Sequence, residues 1–176
     1  GLVFVGRNPS ASELKELYGE GYYEDAETAG YDGYALTEDR KRRHDRSLLA
    51  MMERRVPPGG LLEVGCAYGY FLDEARSRGW RVQGIEPSEH AAEQARTRFG
   101  LDVEARTLSA RPDGTPPIDA VAMWDVIEHL PNPRQTLEEI AGWLRPGGIV
   151  ALSTGDVDSL SSRLHGVDWS LMTPPW

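Results

Sequence analysis

The chain has 176 residues, with 19 basic against 28 acidic side chains, a formal net charge of −9 and 40% hydrophobic residues. The length suits one domain of ordinary size and the hydrophobic content excludes a disordered chain, while the acidic balance argues against a nucleic-acid partner, whose binding rests on neutralised phosphates. A single cysteine, Cys66, excludes an intramolecular disulfide and a multi-cysteine zinc site, and no apolar run approaches the roughly 18 residues of a membrane span.

One cysteine fits a reducing, cytoplasmic compartment. The opening Gly1-Leu-Val-Phe-Val-Gly6 is apolar for only four residues, lacks a preceding basic region and does not read as a signal peptide. The missing initial Met points to a fragment or a processed form. Residues 1–36 read as an N-terminal arm that holds five of the seven tyrosines, Tyr18, Tyr22, Tyr23, Tyr31 and Tyr34. Residues 37–176 read as the domain proper.

The pattern over 37–56 predicts a helix. Thr37 is the expected N-cap, Leu48, Leu49, Met52 and Val56 form an apolar stripe, and Arg54 and Arg55 suit the C-terminal dipole. Pro57-Pro58-Gly59-Gly60 breaks the pattern. The basic run Arg40 to Arg43 with Arg46 reads as a solvated helix face, with an anionic-substrate or RNA patch as the alternative.

From Gly60 onward strands and helices alternate. Apolar runs at Leu61–Val64, Val82–Ile85, Ile118–Trp124 and Ile149–Leu152, with a weaker one at Leu101–Ala105, predict strands. Amphipathic stretches at Phe71–Arg78, Glu89–Phe99 and Pro133–Leu144 predict helices, the last capped by Asn132 with Pro133 at its first position. This alternation implies a doubly wound, mostly parallel α/β sheet covered on both faces. The tail from Gly155 to Trp176 reads as irregular, and its apolar Trp169, Leu171, Met172 and Trp176 suggest cover by further chain or by a second copy in a homodimer.

Three motifs carry chemistry. The first is Leu61-Leu-Glu-Val-Gly-Cys-Ala-Tyr-Gly69, a buried strand running into a tight turn of small residues. A dinucleotide fingerprint needs a small residue where this chain has Tyr70. Glu63 before the turn would repel a pyrophosphate and attract an ammonium or sulfonium cation. The second is Glu86, 21 residues after Gly65 at the end of a strand, where a carboxylate can accept hydrogen bonds from ribose hydroxyls and would repel a 2′-phosphate. A charge at the start of the next helix is its other reading. The third is the strand Ile118–Trp124 followed by Asp125, Glu128 and His129, polar groups at the carboxyl end of the sheet.

Taken together, Glu63-Val-Gly65-x-Ala67-x-Gly69, Glu86-Pro87, Trp124-Asp125-x-x-Glu128-His129 and Leu144-Arg-Pro-Gly-Gly148 resemble a class I S-adenosylmethionine-dependent methyltransferase over Leu61 to Thr154. The small-molecule group that includes ubiquinone-biosynthesis O-methyltransferases and sugar methyltransferases is the nearest in character. The resemblance implies a Rossmann-like core and S-adenosyl-L-methionine as cofactor, with S-adenosyl-L-homocysteine as product. It implies that the Gly65–Gly69 turn, with Cys66 and Ala67, wraps the methionine part. Glu86 would hold the ribose, Pro87 and Leu108 would flank the adenine, and Trp124 and Asp125 would contact the methionine end. In some relatives the segment matching Asp125, Glu128 and His129 binds a divalent metal; capping and orientation explain those residues here, and no metal is expected. The family sheet ends with two further strands, one antiparallel, which are not legible before Trp176. The opening, Leu2 to Ser10 through Tyr23, resembles a stretch that follows a zinc ribbon in such enzymes.

Methyl transfer from a sulfonium is a one-step displacement in which alignment matters most. Tyr22 and Tyr23 are candidates for a lid whose rings flank the sulfonium, or they pack the arm onto the domain. An oxygen or nitrogen acceptor must lose a proton, and His129 is the candidate base, since the ordinary imidazole pKa of about 6.5 suits neutral pH; a bond to nearby backbone is its alternative. Cys66 reads as packing, and His44 and His165 as surface residues. The expected acceptor is a small molecule. A non-catalytic S-adenosylmethionine-binding scaffold and an NAD-dependent oxidoreductase are the competing classes.

Overall fold

The computed structural model describes residues 38–112 and 117–166. Helix α1 spans Glu38–Glu53 and is followed by strand β1 (Gly60–Val64), helix α2 (Tyr70–Ser77), strand β2 (Arg81–Glu86) and helix α3 (Glu89–Phe99). Strands β3 (Val103–Ala105) and β4 (Ile118–Trp124) follow, then a single 3-10 turn at Ile127–His129, helix α4 (Pro133–Trp143), strand β5 (Leu144–Ser153) and helix α5 (Leu160–His165).

The five strands form one sheet in the order β3-β2-β1-β4-β5, with every pairing parallel. The chain therefore starts in the middle, runs out to one edge, returns and runs out to the other. The strand order reverses between β1 and β4, which opens a crevice at their carboxyl ends. Strand β1 is buried along its whole length, as a central parallel strand covered on both faces is, and Glu63 is the one charged residue in it.

Alternation along the strands sorts the core into two faces. Leu61, Ala120 and Ala122 point to the side of α1 and α2, where Leu49, Met52, Val56, Phe71, Ala75 and Trp80 close the layer. Leu62, Val64, Val121 and Met123 point to the other side, where Ile140 of α4 meets them. The same alternation places Glu63 on the α1 face.

Helix ends follow local chemistry. Ser88 caps α3 by accepting the Ala91 N–H, and Asn132 caps α4 by accepting the Gln135 N–H, with Pro133 in its first turn. Helix α1 ends at Glu53, so Arg54 and Arg55 lie just beyond its last turn. Arg78 grips Glu53 through both carboxylate oxygens, which tethers the end of α1 to the end of α2 and holds the Glu53 carboxyl below the usual carboxylate range.

Three expectations change. The tail is not irregular throughout, since Ser159 caps a short helix, α5, by accepting the Ser162 N–H. The last strand is longer than the apolar run Ile149–Leu152: β5 begins at Leu144, directly after α4 stops at Trp143, and pairs irregularly until Ile149 restores the register opposite Ala120. The basic run of α1 is only partly a solvated face. Arg42 meets Asp73 at 3.1 Å and Arg46 meets Glu74 at 2.9 Å, so the run docks α1 on α2.

Candidate active site

A cavity of about 290 Å³ opens at the carboxyl ends of the strands, over the point where the strand order reverses. Glu63 and the turn residues Gly65, Cys66 and Ala67 form its floor, and Glu86 and Pro87 close the β2 side. Trp124, Asp125, Val126 and His129 come from the end of β4 and the loop after it, Ser153 from the end of β5. Helix α1 supplies the roof with Lys41, His44, Asp45 and Leu48.

The turn after β1 is held in an unusual backbone shape. Gly65 has φ 73° and a side chain there would run into Val126, whose Cγ2 lies 2.6 Å from the position of a Cβ. Gly69 has φ 79° and backs onto Leu101, 2.5 Å from a Cβ. These glycines are small because the left-handed backbone and neighbouring side chains require it. Ala67 is left-handed too, at φ 47°, a conformation that costs a non-glycine residue about 1 kcal/mol or more. Its N–H donates to Glu86 Oε2 at 2.8 Å, which holds the strained peptide in place. The other oxygen, Glu86 Oε1, accepts the Ser88 N–H at 2.9 Å.

A second left-handed residue faces the first. Asp125 has φ 55°. Its N–H donates to the Ser153 carbonyl at 3.1 Å, and the Ser153 hydroxyl donates to Asp125 Oδ1 at 2.9 Å. Ser153 thus fixes the loop after β4 against β5. Phe71 packs edge-on against Trp124, with ring centroids 5.2 Å apart.

Three buried polar atoms have no hydrogen-bond partner among the described residues and belong to side chains on the cavity wall: Glu63 Oε2, Asp45 Oδ2 and Trp124 Nε1. Burial pushes the Glu63 carboxyl well above the usual carboxylate range; Lys41 opposes this, and the Asp45 and Glu86 charges add to it. Burial likewise raises Asp45, against the pull of Lys41. It also pushes the Cys66 thiol up, with Glu63 and Glu86 adding to the effect, so the sulfur stays a packing group. That sulfur sits against Gly84 of β2, where a Cβ would lie 2.7 Å from it.

The structure brings together Glu63, Gly65, Cys66, Ala67, Glu86, Pro87, Trp124, Asp125 and His129 around one cavity. Gly69 is buried behind the turn, and Leu108 packs against the core on the α4 side; neither lines the cavity. Tyr22 and Tyr23, the rest of the arm and the apolar tail from Trp169 lie outside the described residues. Among the described residues no group of three or more His, Cys, Asp or Glu side chains is placed to hold a metal ion. None of the described helices is long and apolar enough to cross a membrane.

Reading the sequence missed the contribution of α1; His44 is exposed, as expected of a surface residue, and also lines the cavity. A signal was present. Asp45 precedes Leu48, Leu49 and Met52 at three-, four- and seven-residue spacing, which sets a carboxylate on an apolar stripe. Tyr70, at the position where a dinucleotide fingerprint has a small residue, is buried; its ring packs against Phe99 and its hydroxyl takes a hydrogen bond from Arg98 at 2.6 Å.

A family model described as a methyltransferase domain matches residues 36–175. The ubiquinone biosynthesis O-methyltransferase of Azoarcus sp. (strain BH72) is 37% identical over 100 residues, covering 53% of this chain and 43% of that protein. An uncharacterized 37.1 kDa protein in transposon TN4556 of Streptomyces fradiae is 33% identical over 132 residues, covering 71% of this chain and 38% of that protein. The chain thus spans about two-fifths of the length of these curated relatives. Among solved structures, the plantazolicin methyltransferase BpumL in complex with SAH shares the fold with a TM-score of 0.62 at 14% identity, over 92% of this chain and 70% of that one. The N-methyltransferase NodS from Bradyrhizobium japonicum WM9, in complex with S-adenosyl-l-homocysteine, does so with a TM-score of 0.53 at 21% identity, over 63% of this chain and 60% of that one. With the family model matched from the start of α1 past the end of α5, the chain belongs to the methyltransferase-domain family and has the class I, Rossmann-like fold.

Proposed function

We propose that the protein transfers a methyl group from S-adenosylmethionine to an oxygen, nitrogen or carbon atom of a small-molecule acceptor. The observation that carries this reading is the acidic cavity over the sheet's reversal point, whose lining side chains Glu63 and Asp45 each keep one buried carboxylate oxygen, Oε2 and Oδ2, without a hydrogen-bond partner among the described residues. Unpaired buried carboxylate oxygens call for a cationic ligand that donates hydrogen bonds, and they disfavour a pyrophosphate. The cofactor fits that donor set, being a cation with an ammonium group and no phosphate. The family match over residues 36–175 supports residues 37–176 as the methyltransferase domain, with the arm of residues 1–36 joined to it.

When bound, the cofactor supplies an electrophilic methyl group on a positively charged sulfur. The chain's own residues bind, orient and exclude water. Glu86, oriented by the Ala67 and Ser88 N–H groups, accepts the ribose hydroxyls. Pro87, exposed at the cavity edge, flanks the adenine, with Leu108 beyond the wall on the other side. The Gly65–Ala67 backbone and Glu63 meet the amino-acid part, and the Trp124 indole N–H and Asp125 face it from β4. His129, on the 3-10 turn at the cavity mouth, takes the acceptor's proton. Trp124, Phe71 and Leu48 keep water from the transfer path.

Titration calorimetry tests the reading. The chain is expected to bind S-adenosylmethionine and S-adenosylhomocysteine and to give no heat with NAD. Binding of NAD in preference to both would overturn it.

A further inference from the structure

The basic run of α1 is not used up by packing. Arg42 and Arg46 meet Asp73 and Glu74 of α2. Arg40 and Arg43 stay exposed, and neither forms an ion pair with another described residue. His44 lies one turn beyond Arg40, so the two side chains are neighbours on the helix surface. Of the four α1 residues that line the cavity, Lys41, His44, Asp45 and Leu48, His44 alone is exposed. Arg40 and His44 therefore stand at the rim.

The charge changes sign between this rim and the interior. Inside, the carboxylates of Glu63, Asp45 and Glu86 are buried. Asp125, the exposed carboxylate of the lining, lies on the β4 side and is engaged by the Ser153 hydroxyl. On the α1 side, Arg40 offers a planar fork of N–H donors that matches a carboxylate or a phosphate, and a ring nitrogen of His44 can add another donor. An interior that takes a cation and a rim that takes an anion suit two ligands of opposite charge.

We infer that the methyl acceptor carries an anionic group, a carboxylate or a phosphate, and that Arg40 with His44 receives it at the rim. The acceptor's nucleophilic atom then points inward, to the side where His129 lines the cavity. The inference rests on the methyl-transfer reading above and narrows its acceptor from any small molecule to an anionic one.

Titration calorimetry on the full chain saturated with S-adenosylhomocysteine tests it. The probes are two matched pairs of hydroxyl compounds: 4-hydroxyphenylacetate with its neutral amide, and glucose 6-phosphate with glucose. In at least one pair the anion is expected to bind about tenfold more tightly than its neutral partner, and which pair does so separates carboxylate from phosphate. Arg40→Met is expected to reduce that preference to about twofold or less, Arg40→Lys to keep part of it, and added salt to weaken it in the wild type. Equal binding within both pairs, or binding of none of the four compounds, overturns the inference, as does a preference that survives in Arg40→Met. A loss of S-adenosylhomocysteine affinity in Arg40→Met, with the preference unchanged, assigns Arg40 to the cofactor and also overturns it. Each of these failures, in a chain that binds S-adenosylhomocysteine, leaves the proposed function standing. A wild type that does not bind it removes the proposed function, and the inference falls with it.

Discussion

Both oxygens of Glu86 accept backbone N–H groups, one from the turn after β1 and one from the residue that caps α3. The carboxylate therefore holds its own orientation before any ligand arrives, which is the preorganisation a binding group needs. It also holds Ala67 in its left-handed conformation, so the shape of the cavity floor and the grip on the ribose depend on one side chain. Glu86→Gln keeps the size but replaces one acceptor oxygen with a donor that faces a backbone N–H. We expect S-adenosylmethionine affinity to fall by about 1.5–3 kcal/mol, with a lower melting temperature in the ligand-free protein. An unchanged dissociation constant by calorimetry would remove Glu86 from the ribose role. Its place was legible from the distance to Gly65. Its two backbone bonds were not, because they depend on how the turn folds back on β2.

Helix α1 and strand β1 together bury two carboxyl groups, and this has a consequence for pH. Burial raises both Glu63 and Asp45 above the values they have in the unfolded chain. Between the unfolded and folded values the folded state holds more protons, so stability falls as pH rises through that window. Glu53, lowered by Arg78, acts in the opposite sense at and below the ordinary carboxylate range, where its contribution is lost as pH falls. Thermal melts of the ligand-free protein from about pH 5 to about pH 8 are expected to show declining stability, and Glu63→Gln is expected to flatten the decline. A decline that Glu63→Gln leaves unaltered would show that other groups set it. Cofactor affinity should move the other way, rising with pH, because a cation favours the ionised carboxylates. Strands β1 and β4 and helices α3 and α4 were readable as apolar runs and capped amphipathic stretches. The roles of the α1 basic residues were not, since a salt bridge such as Arg46 to Glu74 joins residues far apart in the chain and leaves no periodic trace.

At the scale of the whole molecule, one topological feature positions everything else. Starting the sheet in its centre and reversing direction at β4 puts the ends of β1, β2, β4 and β5 around one opening, so residues from Glu63 to Ser153 meet there. The net charge of −9 favours the approach of a cationic cofactor over a dinucleotide. Alternating strands and helices announced this architecture, and the small-residue turn with its acidic neighbours announced where the ligand would lie. The inward reach of α1 escaped the reading because an acid among arginines looks like surface until the helix's buried face is known. A crystal structure with S-adenosylhomocysteine tests the central claim most directly. The ribose is expected against Glu86 and the amino-acid end between Glu63 and α1; electron density for the nucleoside anywhere other than the carboxyl ends of β1 and β4 would contradict the account.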